Sequence, residues 1–520
     1  MAAGIIGILA GLVVDTAYSW ARMFIALGFS VVIGIAIGIW AALSRGAERV
    51  ILPVVDILQT LPILAFFPFV IFVVVATLPG AIGINAAVVF LIVTSMLWNI
   101  IFGAYEAVKL LPSEFTELSS IYKMGTIQKL RKIFIPATLP GVVEQSVLSW
   151  SIGLFYLVTS EIFSTGNANY QVTHGIGVAL TQYAVSGNTL AYALGILVFI
   201  AFVVLTRLLF FRPLERYFEE KKIKKQPQHK RQAHRPWWLP SFRSSMLERR
   251  FISYAKNEGR VLTGFIRKRG DERPSIAGKV KEAWRKEALV LIGFICIVAV
   301  LLWATGLMGY EIQALQALVY SFLRVWFAFI VAAVIAVPVC VYLIFRAKRT
   351  SGYVLLFQIL ASIPATIILP EIVVLFRNVP NGAEITAFLV FLLSGIWYLI
   401  FSILSSSKSI PENIFEVKKV FDIKGREAWR KIYLMAILPG LITGGITAIA
   451  AEWNASIVAE YFSASSFGVN IGIGKLLDVS VSNGNLLLMG VALLNLTIMI
   501  IILNTFVWKR LYNKASDVYK

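Results

Sequence analysis

The sequence predicts an all-α, multi-pass membrane protein built from two tandem parallel copies of one helical unit, about five spans in the first copy and six in the second. Three observations lead there. The 520 residues are 58% apolar and only 15% charged, against roughly 25% charged residues in soluble domains. Apolar runs long enough to cross a ~30 Å hydrocarbon core recur along the whole chain. The second part of the chain also repeats the first at an offset of about 300 residues.

The runs fall near 23–43, 55–78, 84–105, 141–162 and 188–211, then near 287–308, 325–345, 354–376, 383–405, 440–460 and 485–507. They exceed the ~10-residue alternating strands of a membrane barrel, and inside lipid a helix satisfies its own backbone. The expected domains are therefore a first repeat (1–212), a basic linker (213–286) and a second repeat (287–520). Residues 1–21 are left with three readings: an extension of the next helix, a segment at the outer surface, or the remnant of a shortened start. The basic flank and small-residue cleavage site of a signal peptide are missing there.

The excess of 48 Lys and Arg over 28 Asp and Glu suggests nucleic-acid binding until it is mapped. Residues 212–286 alone hold 22 Lys/Arg against 8 Asp/Glu, or +14 of the net +20. Basic loops of membrane proteins stay in the cytoplasm. Alternation from a cytoplasmic linker places Arg45 and Arg49, Lys129 to Lys132, Arg346 to Arg349, and Lys509 with Arg510 on the same side. The outer stretch 164–187 has neither Lys nor Arg. The charge thus reports topology and attraction to anionic lipid, with no nucleic acid implied. Cys296 and Cys340 lie in apolar spans without a His/Cys cluster, so neither a disulfide framework nor a metal site is expected.

The repeat aligns motif by motif. Arg22 meets Arg324, Leu61-Pro62 meets Ile363-Pro364, and Pro68 meets Pro370; then Pro112 meets Pro411, Leu139-Pro140-Gly141 meets Leu438-Pro439-Gly440, and Glu161 meets Glu460. A Gly-Ile-Gly follows in each copy, at 175–177 and 472–474. Both copies keep their long charged loop on the basic side, so they are parallel repeats, an arrangement that places a pathway at their interface.

Each long loop, 106–140 and 406–439, reads as a short helix opened by Pro and acidic residues, a Gly turn and a basic second helix ending at Leu-Pro-Gly. Its marker residues are Pro112, Glu117, Gly125, Pro136 and Pro140, and Pro411, Glu416, Gly425 and Pro439. Gly125 and Gly425 are expected to end the first helix in a left-handed conformation. Pro62, Pro68, Pro364 and Pro370 should kink their spans. Gly34 and Gly38, with Ala336 and Cys340 as counterparts, form small-residue packing faces. Arg22 with Glu161, and Arg324 with Glu460, are expected to pair at the outer side, bracing the vestibule or gating it. Charge reversal of both members of a pair is expected to restore what the single reversals lose. Glu144 and Glu452 lie deeper, and neither has a carboxylate counterpart in the other copy; a proton relay is one reading of them, and Glu452 is a pathway or gate candidate.

In these loops the sequence resembles the permeases of binding-protein-dependent ATP-binding-cassette importers, most nearly the nitrate, taurine and alkanesulfonate branch with two fused permease domains. Leu61-Pro62 and Pro68, Glu452-Trp453-Asn454, Ala459-Glu460-Tyr461 and Arg212-Pro213-Leu214-Glu215-Arg216 add to the likeness, which covers about 20–210 and 288–510. The family's Glu-Ala-Ala triplet is absent, and the run from Gly to Ile is shorter in both loops. The resemblance implies the type I importer permease fold, a multi-pass place in a prokaryotic plasma or inner membrane, and a cytoplasmic linker and C-terminus. It further implies two ATPase subunits engaged by 112–125 and 411–425, an extracytoplasmic substrate-binding protein, and a small oxyanion as cargo. One chain supplies both halves, so no obligate homodimer is expected.

No phosphate-binding Gly-x-x-x-x-Gly-Lys-[Ser/Thr] loop occurs, and Gly472-Ile-Gly-Lys475 has the wrong spacing. ATP hydrolysis is therefore expected on separate subunits, with no cofactor, metal or catalysis on this chain. An ion-gradient-driven transporter would want paired charges within the spans and no duplicated cytoplasmic loops. A non-transporting scaffold would lack the kinks and the outer Gly-Ile-Gly loops.

Overall fold

The computed structural model describes residues 2–60, 62–66, 80–111, 121–165, 172–223, 308–345, 364–406, 425–461 and 469–508, with isolated positions between them. Every regular element among them is helical. The first repeat comprises α1 (Ala2–Leu43), α2 (Arg45–Thr60), a 3-10 turn (Ile63–Phe66), α3 (Ala81–Lys109), α4 (Ile135–Thr165), α5 (Ile176–Val185), α6 (Thr189–Thr206) and α7 (Arg212–Ile223). The second comprises α8 (Met308–Phe345), α9 (Ala365–Phe376), α10 (Gly382–Ser406), α11 (Leu434–Tyr461), α12 (Ile473–Ser482) and α13 (Leu486–Ile502). Seven stretches among the described residues are long and apolar enough to cross a membrane.

Residues 1–21 extend the next helix: α1 runs unbroken from Ala2, 42 residues and about 63 Å long. The opening span expected near 287–308 lies almost wholly outside the described residues.

The prolines act differently from the expectation. Pro62 and Pro364 do not kink continuous spans; each is buried and stands immediately before a short helix, the 3-10 turn in one case and α9 in the other. Proline suits that place, where an N–H would find no helical partner. Only Pro370 lies within its helix, and Pro68 falls outside the described residues. Nor do the Leu-Pro-Gly segments end helices: Pro136 and Pro140 lie in α4, and Pro439 in α11. A wider π turn precedes each of those helices, at Leu130–Phe134 and Trp429–Tyr433. Local π adjustment and neighbouring helices make proline tolerable in an apolar helix.

Small residues set the closest helix contacts. A Cβ on Gly38 would stand 2.6 Å from the Ile101 carbonyl oxygen and 2.6 Å from the Ala104 Cβ, and one on Gly34 2.6 Å from Ile100 Cγ2. Cys340, at the equivalent place in α8, contacts the Ile400 carbonyl at 3.8 Å. The α1–α3 and α8–α10 seams are thus built alike.

The repeats interlock through their short third elements. Ile367 of α9 belongs to the apolar core of the first repeat, where its carbonyl accepts a 2.6 Å hydrogen bond from Tyr192 of α6. Leu64 and Ala65 of the 3-10 turn belong to the core of the second repeat, packed with α11 residues such as Ile449 and Trp453.

Because nothing can yield at the α1–α3 crossing, Gly38→Leu should cost about 1–3 kcal/mol. Its thermal midpoint in detergent should fall below that of Gly28→Leu, where the added side chain meets open space.

Candidate functional site

Two buried clamps, one per repeat, gather the charged residues that the sequence singled out. In the first, Arg22 donates from Nη1 to Glu161 Oε1 at 2.7 Å, from Nε to Asn85 Oδ1 at 2.7 Å, and from Nη2 to the His174 carbonyl at 2.5 Å. Ser19 donates to the same Glu161 oxygen at 2.6 Å and accepts from the Ile176 N–H at 3.0 Å. Glu161 Oε2 accepts from the Gly177 N–H at 2.8 Å. The carboxylate is 0% exposed and the guanidinium 6%.

The second clamp repeats this residue by residue. Arg324 donates to Glu460 Oε1 at 3.0 Å and to the Ile471 carbonyl at 2.7 Å. Ser321 donates to Glu460 at 2.8 Å and accepts from the Ile473 N–H at 2.8 Å, and the Gly474 N–H donates to Glu460 Oε2 at 3.0 Å. One partner differs in charge. Where Arg22 meets the neutral Asn85, Arg324 forms a two-point bridge to Glu384, at 2.6 Å from both Nε and Nη2. The second clamp therefore carries two carboxylates on one guanidinium.

The Gly-Ile-Gly motifs owe their composition to these carboxylates. A Cβ on Gly175 would lie 2.6 Å from the Glu161 carboxyl carbon, and one on Gly472 2.5 Å from Glu460 Oε2. Gly177 and Gly474 are hemmed in by the next turn of α4 and α11, 2.8 Å from the Val158 carbonyl and 2.7 Å from that of Ile457. Glycine lets the loop backbone close onto the acid, so both the loop and the N-terminus of the following helix are fixed by one side chain.

The partners that sequence reasoning missed are Ser19 and Ser321, and Asn85 and Glu384. The serines were legible: each copy carries Ser-x-x-Arg, one helical turn that sets both side chains on one face. His174 is exposed, bonded to Asp15 at 3.0 Å and stacked on Tyr18. Lys475 turns to the Val469 carbonyl at 3.0 Å and meets no clamp residue.

Between the repeats, the Tyr156 hydroxyl of α4 donates to Asn454 Oδ1 of α11 at 2.8 Å, with Tyr156 in the apolar core of the second repeat. Glu452 lies two residues before Asn454 and turns elsewhere, buried against Gly395 of its own repeat. Glu144 is half-buried in α4.

In the long charged loops the left-handed residue in the first copy is Lys123 (φ 45°), while Gly125 is extended (φ −68°, ψ 163°) and caps the turn Thr126–Lys129. Gly425 is left-handed as expected (φ 59°). Of the two glycines, only Gly425 takes a conformation that favours glycine. Glu117 is exposed; Pro112, Pro411 and Glu416 lie outside the described residues.

The geometry changes what a charge reversal would do. An Arg at 161 would face the Gly177 N–H and the Arg22 neighbours Ser19 and Asn85 without an acceptor oxygen, so the double reversal should not restore the wild type. Glu161→Gln keeps the shape but leaves Arg22 buried without its anion. Breaking a buried pair costs roughly 3–5 kcal/mol, and thermal unfolding should show a loss of that order, shared by Gly177→Ala through displacement of the acid.

The family described as "Binding-protein-dependent transport system inner membrane component" matches this chain twice, at residues 34–216 and 344–513. Similar curated proteins include the bicarbonate transport system permease protein CmpB of Synechococcus elongatus, 26% identical over 27% of this chain and 49% of that protein. The glycine betaine transport system permease protein OpuAB of Bacillus subtilis is 26% identical over 29% and 53%. The nitrate import permease protein NrtB of Leptolyngbya laminosa is 24% identical over 30% and 53%. The chain spans about half the length of the curated relatives it matches. With the two matches covering roughly two thirds of the sequence, one on each interlocked half, the chain belongs to the binding-protein-dependent transport system inner membrane components and carries their permease unit in duplicate.

Proposed function

We propose that this chain forms the complete membrane pathway of an ATP-driven importer, with both permease halves on one polypeptide. Its loops 112–125 and 411–425 dock onto two separate ATP-binding-cassette ATPase subunits, and an extracytoplasmic binding protein delivers the cargo. The linker and C-terminus face the cytoplasm in this reading, and the cargo is a small anion of the nitrate, sulfonate or sulfate-ester class.

The observation that carries the coupling role is the apolar surface of the first cytoplasmic loop. Ile121 is 73% exposed, Tyr122 75% and Ile127 79%, next to the basic Lys129, Arg131 and Lys132. Aromatic and aliphatic side chains standing out from a polar, basic segment mark a protein contact. A short rigid peg of this kind can turn closure of two ATPases into motion of the halves. The nitrate- and bicarbonate-transport relatives support a small oxyanion, and the betaine relative shows that the family's cargo is not restricted to anions.

A brace ties this loop to the pathway elements. Glu48, at the start of α2, accepts from Tyr105 at 2.5 Å and from Lys109 at 2.8 Å, both on the last turns of α3 just before the loop. α2 leads directly to the 3-10 turn that enters the other repeat, so movement of the loop pulls on the repeat interface. Burial alone would raise the Glu48 carboxyl, but the bonds from Lys109 and Tyr105 and the charges of Lys109 and Arg45 outweigh it and hold the carboxyl below the usual glutamate range.

The first test is co-purification of an ATPase subunit with the chain. Tyr122→Asp should weaken that association by roughly 30-fold, equivalent to about 2 kcal/mol for an anchoring aromatic. Gly425→Ala, at a left-handed position, should weaken it more than Gly125→Ala. Undiminished association in all three variants would sink the coupling role, and ligand identification on the partner binding protein tests the cargo. For the brace, the depressed carboxyl means that its stabilisation is fully present above the ordinary glutamate value and is lost only as pH falls through the lowered one. Glu48→Gln should thus lower the thermal midpoint equally at about pH 6 and pH 8, by the ~0.2–1 kcal/mol of a partly exposed pair.

A further inference from the structure

The two repeats solve one packing problem in opposite ways, and the difference leaves a carboxyl group in apolar surroundings. Where α3 crosses α4, Gly153 gives room to the side chain of Met96; a Cβ on Gly153 would lie 2.2 Å from Met96 Cε. At the equivalent crossing of α10 and α11 the large and small residues change sides. Gly395 stands where Met96 would, Glu452 where Gly153 would, and a Cβ on Gly395 would lie 2.0 Å from Glu452 Oε1. Glu452 therefore fills, from the opposite helix, the notch that a methionine fills in the first repeat.

Glu452 is 0% exposed, and neither carboxyl oxygen has a hydrogen-bond partner among the described residues. The charged groups on the elements around it are engaged elsewhere. Arg324, Glu384 and Glu460 form the outer clamp, Lys475 bonds the Val469 carbonyl, and Glu311 of α8 holds the Asn495 amide. Tyr398, one turn beyond Gly395 on α10, the phenols Tyr310, Tyr320 and Tyr342 and the Cys340 thiol on α8, Tyr433 in the π turn, Glu371 on α9, Asp478 on α12 and Tyr156 of α4, which bonds Asn454, are the other titratable groups among the described residues there. Among the described residues no cation bonds the acid. An ionised carboxylate in such a place costs many kcal/mol and normally survives only when paired.

We propose that Glu452 is a proton-binding site of the second repeat: it occupies the α10–α11 notch as the neutral acid, as an isostere of methionine, and loss of its proton to solvent forces the two helices apart to admit water. The bound species is a single proton, and the reaction is the dissociation of –COOH into –COO⁻ and H⁺. Only one repeat has the site, so protonation acts on one half of the pathway and makes the packing of that half dependent on pH. The inference does not depend on what drives transport or on the cargo.

Infrared spectroscopy and thermal unfolding of the full chain in lipid vesicles test it. At pH 7 the wild type should show the carbonyl stretch of a protonated carboxyl group, which Glu452→Gln removes and Glu384→Gln leaves in place. On raising the pH well into the alkaline range, that band should bleach and the thermal midpoint should fall. Glu452→Gln should hold its midpoint over the same range. So should the double variant G395M/E452G, which rebuilds the arrangement of the first repeat and guards against a simple packing defect in the glutamine variant. A wild type without a Glu452-dependent band at pH 7, or with a pH profile parallel to both variants, would overturn the proposal.

Discussion

Two carboxylates sealed away from water organise the two repeats of this protein. Glu161 and Glu460 are fully buried, and each is tolerated because an arginine, a serine and a backbone N–H all point at it. A buried acid with its partners removed is strongly destabilising, so the four groups of each clamp hold or fail together. The clamps link elements far apart in sequence: the early part of α1 or α8, the start of α3 or α10, the end of α4 or α11, and the loop leading into α5 or α12. Glycine at 175, 177, 472 and 474 follows from this, since a side chain at any of them would collide with the acid or with the helix that carries it.

The duplication preserves geometry more faithfully than identity. Gly103 faces Gln145 in the first repeat, whereas Ser402 faces Gly444 in the second, so the small residue has moved to the other helix of the pair. Met96 with Gly153 against Gly395 with Glu452 repeats the exchange two turns away. Close-packed interiors tolerate such paired changes because the sum of volumes at a crossing is kept. The clamps show the complementary case: Asn85 and Glu384 keep the hydrogen-bonding position but alter its charge. Divergence has therefore gone into charge and side of approach, while the crossing distances stayed fixed.

Most of the fold was legible because the membrane restricts the choices. Apolar length locates α1, α3, α4, α6, α8, α10, α11 and α13, and the repeat makes each reading check the other. The Arg–Glu pairs were legible because charge within apolar spans demands a partner. Three features were not. Leu-Pro-Gly read as a helix end, since propensity alone cannot show that a π turn upstream lets the helix continue through proline. Gly125 read as left-handed, yet the chain placed that conformation on Lys123, a choice that glycine content does not reveal. The exchange of Ile63–Phe66 and α9 between repeats was hidden as well, because an apolar segment reads alike whichever core receives it.

That exchange determines what can move as a unit. Ile367 is packed and hydrogen-bonded inside the first repeat, and Leu64 inside the second, so the mechanical bodies are not the two halves of the sequence. α9 has not left its own repeat: Ala365, Leu369 and Ile372 stay in the core of the second repeat while Ile367 enters that of the first, so this short element is held by both. The chain leaves the exchanged segments just before α3 and α10, where Gly80 (φ 76°) and Asn381 (φ 57°) take left-handed conformations. Pro62 and Pro364 stand at their starts, immediately before Ile63–Phe66 and α9. Drawing the halves straight apart would pull apolar side chains out of both cores at once, a cost that grows with every ångström. Rotation about the exchanged elements leaves those contacts in place and concentrates the change at the four crossing points, where a few backbone dihedrals can absorb it. What the contacts fix is that the two halves are threaded together through their short third elements.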